Sequence, residues 1–281
     1  MGRPGTGKRT APSSEREDGN IFLGFSGSKS AIIEYTGVDF MSVHWHKYPD
    51  PRAAAEACAR HTLGLLEEML SGQELATMAI SGGVTPGILF DCLAAARFKW
   101  DRVHLFWVDE RPVPPDNPES NYRLADEHLI KKVRMTGRQI HRIHGEMEPH
   151  EAAERYVEDI RDFFNLQEGE LPHFDIMHRG IGPDAHTASL FPGDPHIEDR
   201  EGIAAAVYVE HKQQWRITLL PGVLMAAKHS VFLATGAEKA EAVRAVVDEP
   251  YDPMKYPAQM STHHGRGVAW FLDLAAAKLI D

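Results

Sequence analysis

The sequence predicts an α/β fold, with a doubly wound, mostly parallel sheet and helices on both faces in a Rossmann-like three-layer sandwich. Two observations support this. Short apolar runs, typical of strands buried in parallel sheets, alternate along the chain with segments of helical apolar spacing. Each run also ends at a glycine-rich or charged cluster. Strands that alternate with helices are joined by right-handed crossovers, which produce a parallel sheet.

The first strand-helix unit follows a predicted amphipathic helix at 53–70, where apolar residues recur every three or four positions. The apolar run 75–80 predicts a strand, because Ser81-Gly82-Gly83 interrupts it. Thr85-Pro86 then opens a predicted helix over 88–96.

The alternation continues along the chain. A second strand is predicted at 103–108, a third begins at 174–177, and a fourth covers 231–235. Further helical segments are predicted at 122–132, 152–164 and 238–247. In open parallel sheets, ligands bind beyond the carboxyl ends of the strands. We therefore expect the polar clusters that follow these four strands to form the functional site.

Composition indicates a soluble globular protein, since 43% of the 281 residues are hydrophobic and 25% are charged. We expect a flexible N-terminal tail over residues 1–20 and a single domain over 21–281. The formal net charge of −11 has the wrong sign for general nucleic-acid or anionic-membrane binding. No apolar run approaches the ~20 residues that span a bilayer, and we see no secretory signal.

The two cysteines, Cys58 and Cys92, lie in predicted helices, which excludes a disulfide framework and favours a reducing compartment. These observations predict a cytoplasmic protein, a monomer or weak homo-oligomer, with neither nucleic acid nor membrane as partner. Among the sixteen histidines, the close pairs have no convincing third ligand nearby, so no metal site is predicted.

Several of the clusters have the residue types that bind anions. Gly82 and Gly83 lie at a strand-to-helix turn, where backbone N–H groups and the Thr85 hydroxyl can face a phosphate. Lys239 and Arg216 are candidates for further anion contacts, although each is also consistent with an ordinary surface cation. The glycine spacing fits neither a dinucleotide nor a triphosphate loop, which favours a small phosphorylated ligand.

A candidate general base follows the third strand. Asp184 lies two residues before His186, directly after a glycine-rich break. Histidine titrates near physiological pH and is the commonest general base. A carboxylate beside it can orient the ring, although with so many histidines the spacing alone does not select this one.

In this order, the motifs resemble those of the 6-phosphogluconolactonase family, within the superfamily that also contains glucosamine-6-phosphate deaminases. The matching segments are Ser81-Gly82-Gly83-Val84-Thr85-Pro86, Val108-Asp109-Glu110-Arg111-Pro112-Val113-Pro114 with Ser120-Asn121, His186-Thr187-Ala188-Ser189-Leu190-Phe191-Pro192-Gly193, Arg216-Ile217-Thr218-Leu219 and Thr235-Gly236-Ala237-Glu238-Lys239-Ala240. The resemblance covers the chain from about residue 45 to the end.

The resemblance implies hydrolysis of 6-phospho-D-glucono-1,5-lactone to 6-phosphogluconate, in the oxidative pentose phosphate pathway, without metal or organic cofactor. By this resemblance His186 would activate water, Asp184 would orient it, and Arg111 would offset charge on the carbonyl oxygen. The residues expected to bind substrate or phosphate are Gly82, Gly83, Val84, Thr85, Asp109, Asn121, Arg179, Arg216 and Lys239.

The sequence departs from the family pattern around the third strand. Members usually read Leu-Leu-Gly-x-Gly-x-Asp-Gly-His, whereas this chain has His178-Arg179 for the leucine pair and Ala185 for the glycine before the base. If that position has a positive φ, Ala185 stores strain of about 1 kcal/mol; otherwise the change is nearly silent. Arg179 is expected to face an acidic neighbour, or alternatively to touch substrate.

Two other functions are consistent with these motifs. A deaminase or aldose-ketose isomerase acting on an amino-sugar phosphate would use Asp109 to abstract a proton. A non-catalytic sugar-phosphate sensor would bind the same ligands without turnover, although the first 50 residues show no helix-turn-helix pattern.

Overall fold

The computed structural model describes Met1–Gly2 and residues 43–281. The predicted tail over 1–20, apart from its first two residues, and the predicted domain start at residue 21 lie outside this part of the chain. Within it, seven parallel strands form one sheet: β1 His44–Tyr48, β2 Ala76–Ile80, β3 Val103–Trp107, β5 Ile140–His141, β6 Ile176–Arg179, β9 His229–Ala234 and β10 Ala269–Asp273. Their order in the sheet is β1-β10-β9-β6-β2-β3-β5.

A second sheet, which the sequence did not predict, is antiparallel and consists of β4 Asp109–Glu110, β7 Ala204–Val209 and β8 Gln214–Leu219. Its strand order is β4-β8-β7. The strand β4 follows β3 after one residue, so this small sheet extends from the carboxyl end of the main sheet.

Helices cover both faces of the main sheet, as predicted. They are α1 Pro51–Gly72, α2 Val84–Ala95, α3 Asn121–Ala125, α4 Lys131–Val133, α5 Pro149–Phe164, α6 Pro221–Ala226, α7 Ala240–Asp248 and α8 Gln259–His264. On one face, His61 of α1 packs its ring against Phe271 of β10. On the other, Val243 of α7 shares a core cluster with Trp270. Because Trp270 and Phe271 are consecutive in one strand, these contacts lie on opposite faces.

Local chemistry explains the beginning of the longest helix. The Asp50 side chain accepts a hydrogen bond of 2.9 Å from the N–H of Ala53, and Pro51 occupies the first turn, where its missing N–H has no cost. The helix predicted at 53–70 is therefore confirmed, with two more residues at each end.

Two element predictions were displaced. The third strand, expected to begin at 174, is Ile176–Arg179, so His178 and Arg179 lie inside it. The helix predicted over 122–132 is instead α3, a wide helical turn at Asp126–Ile130, and α4, which ends at Arg134 with φ +60°. Apolar spacing does not distinguish α-helical from wider turns, because both present one face to the core.

The strand order positions the functional loops. From β2 the chain moves to β3 and β5 on one side, then returns to β6 beside β2 and continues to β9 and β10 on the other side. The crevice where this order reverses is where such sheets bind ligands. The loops that follow β2 and β6, at 81–83 and 180–186, flank this crevice. No helix in the described part of the chain is long and apolar enough to cross a membrane.

Candidate active site

The loop after β6 brings His186 and Asp184 into direct contact. The Nδ1–H of His186 donates to Oδ1 of Asp184 over 2.6 Å, and the backbone N–H of His186 donates to the same oxygen over 3.2 Å. Burial alone would raise the pKa of Asp184, but its hydrogen bond to His186 and the neighbouring charge lower it to about 2. With Nδ1 bonded to a carboxylate, Nε2 remains to accept a proton.

This pairing depends on a glycine beside it. A Cβ on Gly182 would lie 2.0 Å from Nδ1 of His186 and 2.5 Å from the Asp184 carboxylate, so any side chain there would displace the pair. The ring of Phe191 packs against that of His186, with 4.1 Å between centroids. The imidazole is thus oriented by one hydrogen bond and one ring contact.

Ala185 adopts a left-handed conformation, with φ +65°. Of the two alternatives for the replacement of glycine by Ala185, the one with a positive φ applies. The backbone strain costs about 1 kcal/mol, because a residue with a Cβ disfavours this conformation. The residue is 1% exposed. Its N–H donates to the carbonyl of Gly182 and its carbonyl accepts from Ala258, each over 3.0 Å.

Asp109 connects this loop to the end of β3. Its Oδ2 accepts a hydrogen bond of 2.6 Å from the hydroxyl of Ser189, three residues after His186. Its backbone carbonyl accepts from Nδ2 of Asn121 over 2.8 Å. Asn121 in turn lies against Gly82, where a Cβ would come within 1.8 Å of Oδ1 of Asn121. These contacts join the clusters after β2, β3 and β6.

Glu110 organises the loop that carries Asn121. Its buried carboxylate accepts hydrogen bonds from the N–H groups of Arg111, Asn121 and Tyr122 and from the Ser120 hydroxyl, over 2.7 to 3.0 Å. Burial raises the pKa of Glu110 above its usual value, although these four donors oppose the shift. The carboxylate therefore fixes the backbone on both sides of the loop.

Two guanidinium groups approach each other beside this loop. Burial and the nearby charge of Arg111 lower the pKa of Arg216. Arg111 donates to the carbonyl of Glu119 and Arg216 to that of Trp215. Neither arginine forms an ion pair within the described residues, and Nε of Arg111 is buried without a hydrogen-bond partner there. The charges of Asp109, Glu119 and Glu110 oppose the lowering of the Arg216 pKa, so Arg216 lies in a region that holds both cations and carboxylates.

The loop after β2 meets the loop after β9. The hydroxyls of Thr85 and Thr235 are 2.9 Å apart. The helix α2 begins after Gly83, which has φ +115° and leaves the first turn without a side-chain cap. Val84 is exposed at this turn, and because its side chain has no polar atom, only its backbone N–H can contact an anion.

Lys239 is half-buried after Gly236, in the loop that holds Thr235. It forms no ion pair within the part of the chain described. Gly236 itself donates its N–H to both carboxylate oxygens of Asp273, each over 3.1 Å, which fixes this loop to the end of β10.

Arg179 is placed differently from both expectations. It is 0% exposed, and its Nη atoms donate to the hydroxyls of Ser261 and Ser230, the second over 2.8 Å. The expected acidic neighbour is wrong, because among the described residues Arg179 forms no ion pair. The expected substrate contact is also not supported, because a fully buried guanidinium bonded to two serines is inaccessible to a ligand in the crevice. Arg179 is buried because β6 lies inside the sheet, where the side chain is covered by Ser230 of β9 and Ser261 of α8.

Sequence reasoning missed four polar residues of this network: Ser189, Thr235, Glu110 and Asp273. Ser189, Thr235 and Glu110 lie within the motifs that carry the family resemblance, so their positions offered a signal. Asp273 had no local signal, since its role depends on the pairing of β10 with β9.

The loops at the carboxyl edge of the parallel sheet contain an imidazole held by a carboxylate, two arginines and a helix N-terminus without a side-chain cap. The fold is that of a Rossmann-like α/β enzyme, and this edge is where such sheets bind ligands. The family described as glucosamine-6-phosphate isomerases/6-phosphogluconolactonase matches residues 49–270. The chain belongs to this family.

Individual relatives agree with that assignment. The chain is 34% identical over 230 residues to a 6-phosphogluconolactonase of Nostoc sp., covering 81% of this chain and 94% of the relative. It is 36% identical over 228 residues to the 6-phosphogluconolactonase of Homo sapiens, covering 80% and 83%. The solved 6-phosphogluconolactonase of Trypanosoma brucei has the same fold, with a TM-score of 0.77, 24% identity, and coverage of 86% of this chain and all of that one (100%).

Proposed function

We propose that the chain hydrolyses 6-phospho-D-glucono-1,5-lactone to 6-phosphogluconate, as an ester hydrolase of the oxidative pentose phosphate pathway. Its family and the names of its relatives support this reaction. The observation that carries the proposal is the Asp184–His186 pair, because ester hydrolysis at neutral pH needs a base to activate water.

In the proposed step, Nε2 of His186 takes a proton from a water molecule as the water oxygen attacks the lactone carbonyl carbon. The carbonyl electrons move to oxygen and form a tetrahedral oxyanion. When that intermediate collapses, the bond between the carbonyl carbon and the ring oxygen breaks. The ring oxygen then receives the proton from the imidazolium and becomes the 5-hydroxyl, while the new carboxylic acid ionises. Asp184 stabilises the transient imidazolium.

Charge complementarity supports the remaining roles. Arg111 would offset the charge on the oxyanion, since its guanidinium is held beside the crevice without a carboxylate partner. Arg216, Lys239, Thr85 and the backbone around Gly83 would bind the 6-phosphate. Remote phosphate binding holds the lactone in place for attack and so contributes to the rate.

The contacts of Asp109 disfavour the isomerase or deaminase alternative. That chemistry needs a free carboxylate to abstract a proton from carbon, whereas Oδ2 of Asp109 accepts a 2.6 Å hydrogen bond from Ser189. Its Oδ1 lies 3.3 Å from Nδ2 of Asn121, so both carboxylate oxygens are already engaged by neighbouring side chains. Asp109 is better suited to holding the loop of His186 against the end of β3.

The decisive experiment is a lactonase assay. The lactone is generated in situ from glucose 6-phosphate, and formation of 6-phosphogluconate is followed with a coupled dehydrogenase. Acceleration above the spontaneous rate is expected. Binding of 6-phosphogluconate without acceleration would favour the sensor, and ammonia release from glucosamine 6-phosphate would favour the deaminase.

Removing a phosphate-binding cation is expected to weaken substrate binding. Arg216→Ala and Lys239→Ala should each raise KM about 10- to 100-fold with a smaller effect on kcat, because a charge-assisted hydrogen bond contributes about 1.5–3 kcal/mol. Lys99→Ala is the matched control, since this exposed lysine precedes β3 at the amino edge of the sheet. An unchanged KM in both variants would remove these residues from the phosphate site.

We further propose that the chain works in the cytoplasm as a monomer or weak homo-oligomer, with 21–281 as one domain. Cys58 is buried, Cys92 is half-buried, and both are free thiols, which supports a reducing compartment. Light scattering coupled to size-exclusion chromatography measures the mass in solution. A stable tetramer or hexamer would contradict this assignment.

A further inference from the structure

Arg179 is the last residue of β6, the strand that leads into the loop of His186. Its guanidinium donates to Ser261 in α8 and to Ser230 in β9, and its Cζ lies 4.7 Å from the centre of the Phe232 ring. A buried charge of this kind is costly unless its partners are fixed in position. The arginine therefore ties one short helix to two neighbouring strands.

The same helix holds the residue before the proposed base. Ala258, which directly precedes α8, donates its N–H to the carbonyl of Ala185 over 3.0 Å. Ala185 has φ +65°, a conformation that a residue with a Cβ keeps only when its surroundings enforce it. His186 follows immediately, and its carbonyl accepts from the N–H of Gly182 over 2.9 Å.

We propose that Arg179 is a positioning residue: by fixing α8 against β6 and β9, it lets Ala258 hold Ala185 in its left-handed conformation, which sets the His186 ring against Asp184. The role of His186 in this inference rests on the proposed function. The contact path itself, from Arg179 through Ser261 and α8 to Ala185, does not.

The helix α8 has six residues, too few to be stable without tertiary contacts. On one side the buried Gln259 donates its Nε2 to the carbonyls of Ala245 and Glu249, while on the side of the strands the contact is the one to Arg179. Ser261 of α8 is fully buried and bonded to the guanidinium, so loss of Arg179 removes the polar tie between this helix and the strands. Ala185 is then free to relax to a negative φ, which turns the following imidazole away from the carboxylate.

The test is a double-mutant comparison in the lactonase assay. Arg179→Leu is expected to lower kcat about 10- to 100-fold with KM changed less than about twofold, because a small displacement of a catalytic group has this effect. In an Ala185→Gly background the same substitution should lower kcat less than about threefold, since glycine adopts a positive φ without strain. An equal loss in both backgrounds would overturn the inference.

Two further variants keep the test interpretable. Ser261→Ala removes the same tie while retaining the arginine, and it should lower kcat in the same direction and be rescued by Ala185→Gly. His178→Leu is the matched control, because His178 is equally buried, adjacent on β6 and on the opposite face of the sheet. Its kcat should equal that of the wild type. A similar loss in this control would assign the effect to general disturbance of the strand.

One readout is independent of turnover. The 15N signal of Nδ1 in His186 reports its hydrogen bond to Asp184 in the ligand-free protein. Arg179→Leu should shift this signal towards that of an unbonded imidazole, and Ala185→Gly should restore it. If the wild type lacks lactonase activity, the proposed function fails while this signal still decides the inference. An unchanged signal in Arg179→Leu would contradict it.

Discussion

Replacing His186 by alanine is expected to lower kcat for lactone hydrolysis about 100- to 10,000-fold, the usual contribution of a general base, or as far as the spontaneous rate allows. The Nδ1 atom of His186 is held by Asp184 at 2.6 Å, so the ring presents Nε2 for proton transfer. KM should change little, because the phosphate contacts lie in other loops. The coupled assay, corrected for spontaneous opening, measures both constants.

Two variants calibrate this result. Asp184→Asn should lower kcat less than His186→Ala does, because the ring remains but loses the carboxylate that stabilises its protonated form. His173→Ala is the matched control, since this exposed histidine precedes β6 at the opposite edge of the sheet. A near-normal rate for His186→Ala would exclude His186 as the base.

Replacing His178 by leucine is expected to make the protein markedly more resistant to acid. Both ring nitrogens of His178 are buried without a hydrogen-bond partner in the described structure. Burial, and then the charge of Arg179, lower the pKa of His178 from 6.5 to about 3. Leucine has a similar volume and no polar atoms, so it removes an unsatisfied imidazole that costs about 1–3 kcal/mol at neutral pH.

The sign of the pH dependence follows from proton linkage. Between pH 6.5 and about 3 the unfolded chain binds a proton at His178 that the folded chain does not, so the free energy of unfolding falls as pH falls through this window. By pH 4.5 this loss is about 2–3 kcal/mol. His178→Leu should abolish that part, and denaturant unfolding at pH 7 and pH 4.5 measures it.

Met177→Leu is the control for this prediction, because it alters a buried side chain of the same strand without changing a titratable group. Its unfolding free energy should depend on pH as the wild type does. His61 has a pKa lowered to about 4 by burial, and then by the charges of His46, His229 and His44, so acid sensitivity should persist in part in His178→Leu. A pH dependence identical to the wild type would contradict the burial of a neutral imidazole at 178.

Much of the site was accessible to sequence reasoning because it follows strand ends. Parallel strands place their carboxyl ends at one edge, so Ser81, Asp109, His186 and Gly236 were expected at the same edge once the alternation of strands and helices was recognised. The Asp184–His186 contact was also expected, since two residues of a tight loop can approach closely. These conclusions depend on local pattern and on the general geometry of the fold.

Arg179 shows where that reasoning stopped. Its sequence position, beside the loop of the proposed base, suggested an acidic partner or the substrate, but its bonds are to Ser230 and Ser261, 51 and 82 residues further along the chain. Asp273 likewise reaches Gly236 only because β10 pairs with β9. Hydrogen-bond partners so distant in sequence leave no local pattern.

Apolar periodicity and the ends of strands were enough to assign the fold class, the edge of the sheet that carries the candidate site, and the chemical types of its residues. The conformation of Ala185, the burial of His178 and Arg179, and the effect of Arg111 on the pKa of Arg216 emerge only from the folded chain. Strain, desolvation and charge proximity depend on which distant segments pack together, and packing is a property of the whole fold.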